Sequence, residues 1–365
     1  MNMHKKTQFR KSQYYPQINN FADGIAAAYF DSMAEDPNIL AFGLGATDPR
    51  NIFGTMVGLR EEFGNKRVFD TPISENALTG MAVGLAISGY KPVLTHQRLD
   101  FSLLSMDQIV NSAAKWNFMF GGQQSVPLVI RMIIGQGWGQ GPTHSQALQS
   151  WFAQIPGLKV IMPAFPEDAY NLFRSSMSDP NPVIFLEHRW LHQMKWDGFG
   201  KNNKTKPLGK SNKITSGNDV TIVSHSVGSV YALHAAHILK NFNINIEVID
   251  CFNLRNLDIA AISKSIKKTG RLLTIDFSHQ FGSIGNEIIA QILSPNFSDL
   301  AIAPRRMALP DFPVATSTNV EKNFYFSTSD ICKEVGSMMD IEISNLENEI
   351  TKYQSSSTKN FEGPF

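Results

Sequence analysis

The fold of this chain is decided by the stretch Phe69-Asp70-Thr71-Pro72-Ile73-Ser74-Glu75. A short apolar run reaches a Thr-Pro break there, and the pattern predicts a helix that begins with Ser74 as its N-cap. Glu75 then falls in the first helical turn, at the end of a predicted strand. Ligands of open α/β sheets bind in the crevices at such strand ends. Glu75 is therefore either part of a ligand site or a residue favoured only by the helix dipole.

On both sides of this stretch, apolar runs alternate with helical patterns. In the first half of the chain we predict strands at 39–43, 91–96, 126–134, 158–162 and 182–186, and helices at 18–33, 53–63, 106–118 and 166–177. In the second half we predict strands at 220–225, 246–251 and 271–275, and helices at 230–240, 259–267 and 285–293. This alternation predicts an α/β fold of two doubly wound domains, each with a mainly parallel sheet flanked by helices.

The length of 365 residues suits two domains of ordinary size. We predict the first α/β domain at 18–197 and the second at 217–343. A linker rich in Lys, Asn and Gly joins them at 198–216. A basic arm precedes them at 1–17, and a polar tail, either mobile or used for contacts, follows at 344–365.

Charge and cysteine content exclude several classes of protein. The 33 basic and 32 acidic residues leave a net charge of +1, which gives no electrostatic case for binding nucleic acid or an anionic membrane. No apolar run approaches the ~20 residues of a membrane span, and the N-terminus lacks the apolar core of a signal peptide. Cys251 and Cys332 have no metal-ligand spacing. The sequence therefore predicts two free thiols, no metal ligands and a cytoplasmic location.

Three segments together resemble the beta subunit of the thiamine-diphosphate-dependent first component of 2-oxo acid dehydrogenases. They are the opening stretch, Met-Asp-Gln-Ile-Val-Asn-Ser-Ala-Ala-Lys at 106–115 and Thr-His-Ser-Gln at 143–146, in the family's order and spacing. The resemblance runs from about residue 18 to about residue 312. It implies a transketolase-like pyrimidine-binding domain followed by a transketolase C-terminal-like domain. It also implies a subunit of an enzyme that decarboxylates a 2-oxo acid and transfers the acyl group.

The resemblance implies roles for four side chains. Glu75 would bond the aminopyrimidine ring of the cofactor and drive its tautomerisation, and His144 would help to handle the substrate and the acyl acceptor. Phe101 would pack an apolar ring beside the aminopyrimidine, with Gln97 also at the cofactor. Considered without the resemblance, Phe101 is better explained as a core residue, and His144 is better explained as a solvated histidine after the glycine-rich loop 135–142.

The resemblance also implies a partner. The family's diphosphate motif, Gly-Asp-Gly followed by paired Asn, appears nowhere in this chain. Thiamine diphosphate and Mg²⁺ would then be held mainly by an alpha-type subunit in an α2β2 heterotetramer, with a lipoyl acyltransferase component as a further partner. Two alternatives stay open. One is a split transketolase-like enzyme that hands the activated fragment to a small acceptor such as a sugar aldehyde, and the other is a non-catalytic assembly subunit.

Two departures from the family pattern bear on the substrate. The family's acidic pair after the first strand is replaced by Ala46 and Thr47, which puts proton handling there in doubt. Relatives are mostly apolar where this chain has His96, Gln97 and Arg98. We predict a polar or anionic substrate, with Arg98 pairing to a carboxylate or phosphate. The alternative is that alternate side chains of this strand end face away from the site.

The helix opened by Glu75 carries Gly80 and Gly84 four residues apart. Small residues at this spacing let another helix approach closely. The resemblance implies that this helix packs across a subunit interface, whereas the alternative is packing against the chain's own sheet.

Overall fold

Two mainly parallel sheets organise the chain in the computed structural model. The structure describes residues 18–135, 139–194, 207–321, 323–343 and 345–356. The predicted arm at 1–17 lies outside these ranges, as do most of the predicted linker, part of the glycine-rich loop and both ends of the predicted tail. Alternation of strands and helices in each half confirms the predicted α/β class.

The first sheet has six parallel strands in the order β2-β1-β3-β4-β6-β5. The strands are β1 (Ile39–Gly43), β2 (Val68–Asp70), β3 (Lys91–His96), β4 (Val129–Ile134), β5 (Lys159–Ile161) and β6 (Val183–His188). Most of their side chains are buried because helices cover both faces, which is why the strands appear in the sequence as continuous apolar runs. Their carboxyl ends meet at one edge.

Eight α-helices accompany this sheet in the described ranges. They are α1 (Phe21–Glu35), α2 (Asn51–Gly54), α3 (Leu59–Phe63), α4 (Glu75–Ile87), α5 (Leu99–Ser102), α6 (Ala114–Met119), α7 (Gln149–Ala153) and α8 (Pro166–Met177). The side chain of Asn20 caps α1 by accepting a hydrogen bond from Asp23 N at 2.8 Å. The helices α1 and α8 pack together, and Tyr170 Oη donates to Asp31 Oδ2 at 2.6 Å.

The second sheet has five strands in the order β11-β10-β8-β9-β7, with β7 antiparallel to β9 and the rest parallel. The strands are β7 (Asn212–Lys213), β8 (Val220–Ser224), β9 (Ile246–Asp250), β10 (Leu272–His279) and β11 (Arg305–Leu309). The helices are α9 (Val227–Leu239), α10 (Ile259–Thr269), α11 (Ile284–Asn296), α12 (Thr318–Glu321), α13 (Thr328–Met338) and α14 (Leu346–Ser356). No helix in the part of the chain described is long and apolar enough to cross a membrane.

Several sequence predictions need correction. The helix predicted at 53–63 is instead α2 and α3, and α2 is a left-handed turn in which Asn51, Ile52 and Phe53 all have positive φ. The helix predicted at 106–118 contains a π-helical segment, Gln108–Ala113, before α6. The short strand β7 lies in the predicted linker, and α14 lies in the predicted tail. The strand β11 and the helix α13 had no counterpart in the predictions, because their apolar residues are few.

The glycines of α4 face different surroundings. A Cβ at Gly80 would lie 3.4 Å from Gln108 Oε1, which is ordinary contact. A Cβ at Gly84 would meet no atom of the described chain within 4 Å. Packing against the chain's own sheet therefore gives no reason for Gly84, and α4 keeps an open surface at that residue.

A buried ion pair lies inside the first sheet. Arg131 on β4 binds Glu187 on β6 through two hydrogen bonds of 2.5 and 2.9 Å, and both side chains are fully buried. Thr55 and Tyr29 also accept from the guanidinium, at 3.0 and 3.3 Å, and His192 lies 3.1 Å from Glu187. Burial raises the pKa of Glu187, but the charge of Arg131 and these hydrogen bonds outweigh it and hold the pKa at about 2.

The two sheets are joined along one edge. Main-chain hydrogen bonds of 2.8 and 2.9 Å link residues 160–162, at the edge strand β5, to residues 252–254 after β9. Gln149 Nε2 of α7 donates to the buried Asp276 of β10 at 2.8 Å, which adds a side-chain link between the same two units. The two halves therefore share a hydrogen-bonded seam as well as apolar contacts.

Candidate active site

A hollow opens at the carboxyl ends of β1, β2 and β3. Its lining includes Leu44, Glu75, Leu78, His96, Gln97 and Phe101. Four of these six were predicted from the sequence as site residues, and parallel strand order brings them together because the carboxyl ends of neighbouring strands meet at one edge. The hollow encloses about 20 Å³, about the space of one water molecule. The hollow formed by the described residues is therefore too small to enclose a molecule of cofactor size.

Glu75 begins α4 directly after the Thr-Pro break. Its side chain is half-buried on the wall of the hollow. Ser74 occupies the N-cap position as predicted, but its side chain makes no capping hydrogen bond. The predicted capping interaction is therefore wrong, and the carboxylate of Glu75 is the group that the end of this helix presents to the hollow.

Phe101 and His144 come together from different parts of the chain. Their rings meet edge to face, with centroids 5.3 Å apart and an interplanar angle of 89°. Phe101 follows β3 and lines the hollow, whereas His144 lies in the loop after β4. Thr143 Oγ1 lies 3.1 Å from His144 Nδ1. His144 therefore contacts Phe101, which in turn lines the hollow beside Glu75. A molecule that lies against Phe101 would be close to His144.

Gln97 is fixed by the backbone of the loop after β1. Its Nε2 donates to Leu44 O at 2.9 Å. A Cβ atom at residue 45 would lie only 2.2 Å from this Nε2. Only glycine therefore leaves room for the amide of Gln97, and Gly45 also has a φ of +76°, which glycine adopts without strain. Asp48, one position after Thr47, accepts a hydrogen bond from Asn51 N of its own loop at 2.7 Å.

His96 is a neutral group at physiological pH. Its side chain is 5% exposed, and burial lowers its pKa to about 4. No hydrogen bond reaches its Nε2 from the described residues. The hollow therefore has an uncharged imidazole with an unused nitrogen on its wall.

Arg98 faces a different place. It is not part of the hollow's lining, and its Nη1 donates to Gln97 O at 2.9 Å while its Nη2 donates to Gln140 Oε1 at 3.0 Å. Its Cζ lies 5.0 Å from the ring centroid of Phe53, and the Cζ of Arg189 lies 4.5 Å from the same centroid. Sequence reasoning missed Phe53 and Arg189. The sequence could have indicated Arg189 as a site residue, because it is a charged residue directly after a buried strand.

These residues fit one part of a thiamine cofactor. A carboxylate, an apolar ring and an unused buried imidazole nitrogen suit the polar edge and the flat face of an aminopyrimidine. The residues that the structure describes contain no group of three or more His, Cys, Asp or Glu that could hold a metal ion. The described residues that line this hollow thus fit the pyrimidine part of such a cofactor.

Comparison with known families identifies the class. The family "Transketolase, pyrimidine binding domain" matches residues 19–194, and "Transketolase, C-terminal domain" matches residues 209–331. A solved structure named "Split gene transketolase, inactive beta4 tetramer" aligns with a TM-score of 0.72 at 18% identity, over 90% of this chain and 100% of that one. A transketolase mutant from Pichia stipitis aligns with a TM-score of 0.65 at 15% identity, over 90% of this chain and 47% of that one. The chain is a transketolase-like α/β protein.

Sequence relatives define the family within that class. The chain is 37% identical over 314 residues to pyruvate dehydrogenase E1 component subunit beta-2, mitochondrial, of Oryza sativa subsp. japonica, covering 85% of this chain and 84% of that protein. It is also 37% identical over 313 residues to pyruvate dehydrogenase E1 component subunit beta of Rickettsia bellii, covering 86% and 96%. The Saccharomyces cerevisiae mitochondrial subunit is 33% identical over 331 residues, covering 88% of each chain. The chain belongs to the family of pyruvate dehydrogenase E1 component beta subunits, which confirms the predicted resemblance to beta subunits of 2-oxo acid dehydrogenases.

Proposed function

We propose that this chain is the beta-type subunit of a thiamine-diphosphate-dependent 2-oxo acid dehydrogenase, which decarboxylates its substrate and transfers the acyl group. The observation that carries the proposal is membership of the E1 beta-subunit family over most of the chain. The arrangement of Glu75, Gln97 and Phe101 around one hollow supports it. We propose the domain limits 18–197 and 217–343, with the short strand β7 of the preceding segment added to the second sheet by its pairing with β9.

The chain's own residues have separate tasks in this proposal. Thiamine diphosphate, when bound, supplies the electron sink for loss of carbon dioxide. Glu75 holds a proton at the ring nitrogen of the aminopyrimidine, and its rigid place at the start of α4 fixes the direction of that bond. Phe101 packs against the ring and excludes water. His144, beside Phe101, moves a proton at the substrate oxygen or at the acceptor, and neutral His96 offers a ring nitrogen as donor or acceptor.

An alpha-type partner completes the site in this proposal. The family's diphosphate motif, Gly-Asp-Gly followed by paired Asn, does not occur in this sequence, so we assign the diphosphate and its Mg²⁺ to the partner chain. We propose an α2β2 heterotetramer that passes the acyl group to a lipoyl acyltransferase component. Two buried free thiols, Cys251 and Cys332, support a reducing compartment, and we propose the cytoplasm.

The two alternatives have less support. A split transketolase-like enzyme is favoured only by structural likeness at 18% identity, which carries the fold alone. A non-catalytic assembly subunit would have no need for a carboxylate and an aromatic ring on one hollow. No specific observation of the described residues favours either one.

Calorimetry tests the proposal. We expect the isolated full chain, titrated with thiamine diphosphate and magnesium, to bind weakly or not at all, because it lacks the family's diphosphate motif. Mixed with its alpha-type partner, it should bind the cofactor and release carbon dioxide from a 2-oxo acid. Micromolar or tighter binding by the isolated chain would contradict the two-chain site. Binding by the mixed chains without carbon dioxide release from any 2-oxo acid would contradict the reaction.

A further inference from the structure

Two buried arginines meet at one aromatic ring beside the hollow. Arg98 is 6% exposed and Arg189 is 7% exposed, and both guanidinium groups lie over the ring of Phe53, at 5.0 and 4.5 Å from its centroid. Two like charges repel each other, and burial makes that repulsion stronger. Their convergence therefore needs a reason beyond packing.

The topology of the first sheet brings the two arginines together. Arg98 comes two residues after β3, and Arg189 comes one residue after β6. Both strands pair with β4, so all three carboxyl ends lie at the same edge of the sheet. Ligands of such sheets bind at this edge. The hydrogen bond of Arg98 Nη1 to the carbonyl of Gln97, which lines the hollow, places the pair next to the proposed cofactor wall.

Phe53 reaches this position through strained backbone. Asn51, Ile52 and Phe53 have φ of 43°, 48° and 58°, and Gly54 continues the left-handed turn at 84°. Left-handed backbone is unfavourable for residues such as isoleucine and phenylalanine, whereas glycine and sometimes asparagine tolerate it. Strain of this kind persists only where the surroundings hold it, and it concentrates at functional sites. The turn holds the ring where both guanidinium groups lie over it.

Asp100 is a carboxylate that acts on the pair. Burial lowers the pKa of Arg98 and the charge of Asp100 opposes that change, while the Oδ1 of Asp100 already accepts hydrogen bonds from Gln146. Within the described ranges, Nε and Nη1 of Arg189 are buried and have no hydrogen-bond partner. Burial first, and then the charge of Arg98, lower the pKa of Arg189 to about 10, so it stays cationic at neutral pH. A buried cation with unused donors is unfavourable until an anion meets it.

We propose that Arg98 and Arg189, held over the ring of Phe53, bind a carboxylate or phosphate group carried by the substrate or the acceptor, at the end remote from the reacting carbon. The assignment of that anion to a substrate rests on the proposed function. Guanidinium donors match both oxyanions in geometry and charge. The proposal adds Arg189 and Phe53 to a substrate site that the sequence had limited to His96 and Arg98.

The first test measures anion binding by the full chain without any turnover. Thermal unfolding is followed with increasing inorganic phosphate against chloride of equal ionic strength. We expect phosphate to raise the unfolding temperature of the wild-type chain and to leave that of Arg189→Met unchanged. In phosphate-free buffer, Arg189→Met should be at least as stable as wild type, because it removes a buried cation whose donors are unused. Arg306→Met is the matched control, since Arg306 is an exposed arginine of the second sheet.

The second test measures specificity in the complex with the alpha-type partner. For the substrate, turnover of 2-oxopentanedioate is compared with turnover of 2-oxopentanoate, which lacks the second carboxylate. For the acceptor, acyl transfer to a phosphorylated aldehyde is compared with acyl transfer to the same aldehyde without its phosphate. A charge-assisted hydrogen bond corresponds to about a ten- to hundredfold preference. We expect Arg189→Met and Arg98→Met to lower one of the two anion preferences by about that factor, measured as the ratio of kcat/KM for the compound with the extra anionic group to kcat/KM for the compound without it.

The outcomes separate the two proposals. Equal stabilisation of wild type and Arg189→Met by phosphate, or loss of stability in Arg189→Met without phosphate, would overturn the anion site whatever the enzyme does. Loss of the phosphate effect with both preferences unaltered would overturn its assignment to the substrate. Absence of all 2-oxo acid turnover in wild type, with the phosphate effect intact, would count against the proposed function and leave the anion site standing.

Discussion

Glu75→Gln separates a catalytic carboxylate from one that only suits a helix terminus. The substitution keeps the size of the side chain and removes its charge and its ability to hold the ring proton. Glu75 lies in the first turn of α4 and lines the hollow. Glu167 provides the matched control, because it is also a half-buried glutamate in the first turn of a helix, α8, that follows a strand of the same sheet.

The expected magnitudes differ for folding and for turnover. Loss of a carboxylate near a helix N-terminus costs about 0.3–1 kcal/mol in the free energy of unfolding, which is at most about 4 °C in unfolding temperature for a domain of this size. Both Glu75→Gln and Glu167→Gln should show that small change. Turnover should fall at least about a hundredfold in Glu75→Gln alone, which is the usual scale for a positioned acid–base group.

The assay uses the chain reconstituted with its alpha-type partner. Carbon dioxide release from the best 2-oxo acid is measured for wild type, Glu75→Gln and Glu167→Gln, and the unfolding temperature of each isolated chain is measured in parallel. Near-normal turnover of Glu75→Gln would refute the assignment. Equal losses of turnover in both variants would show that the effect comes from the helix terminus rather than from the cofactor.

Three further variants test other parts of the molecule. His144→Ala should lower acyl transfer to the natural acceptor more than electron transfer to an artificial acceptor, and equal losses in the two assays would contradict a role in transfer. Glu187→Gln leaves Arg131 buried without its charge partner and should cost about 3–5 kcal/mol of unfolding free energy at pH 7 by urea titration. Because the folded-state pKa of Glu187 is below its ordinary 4.5, the ion pair stabilises the fold above that pH, and the difference between wild type and variant should shrink as the pH falls from 4.5 towards 2. Gly84→Ala should raise the free energy of unfolding of the isolated chain by about 0.5–1 kcal/mol. If a mixture of this variant with the alpha-type partner has a lower sedimentation coefficient than the same mixture made with the wild-type chain, this surface of α4 takes part in assembly.

The sequence predicted those parts of the fold that local patterns control. The strands 39–43 and 91–96 and the helix 166–177 agree with the structure, since continuous apolar runs and Pro166 at a helix start are local signals. The left-handed turn at Asn51–Gly54 was not predictable, because asparagine is tolerated there but isoleucine and phenylalanine are disfavoured in it. Tertiary contacts rather than propensity determine that turn.

The candidate site also has features that the sequence predicted and features that depend on tertiary structure. Glu75, Gln97 and Phe101 were predicted as cofactor residues, and the structure brings them to one hollow because β2 and β3 flank β1. The sequence could not show that His96 would be neutral, since its lowered pKa comes from burial by residues far away in the chain. Nor could it pair Arg98 with Arg189, because more than ninety positions separate them and only the shared sheet edge brings them together.

The hydrogen-bonded seam between the two sheets has a consequence for motion. Domains that share only a small polar contact usually swing about a hinge when ligands enter or leave. Here edge strand β5 bonds directly to the residues after β9, and Gln149 binds the buried Asp276, so bending at this junction would break main-chain hydrogen bonds. Relative motion of the two sheets therefore requires these hydrogen bonds to break and re-form, whereas surface loops can move without breaking them.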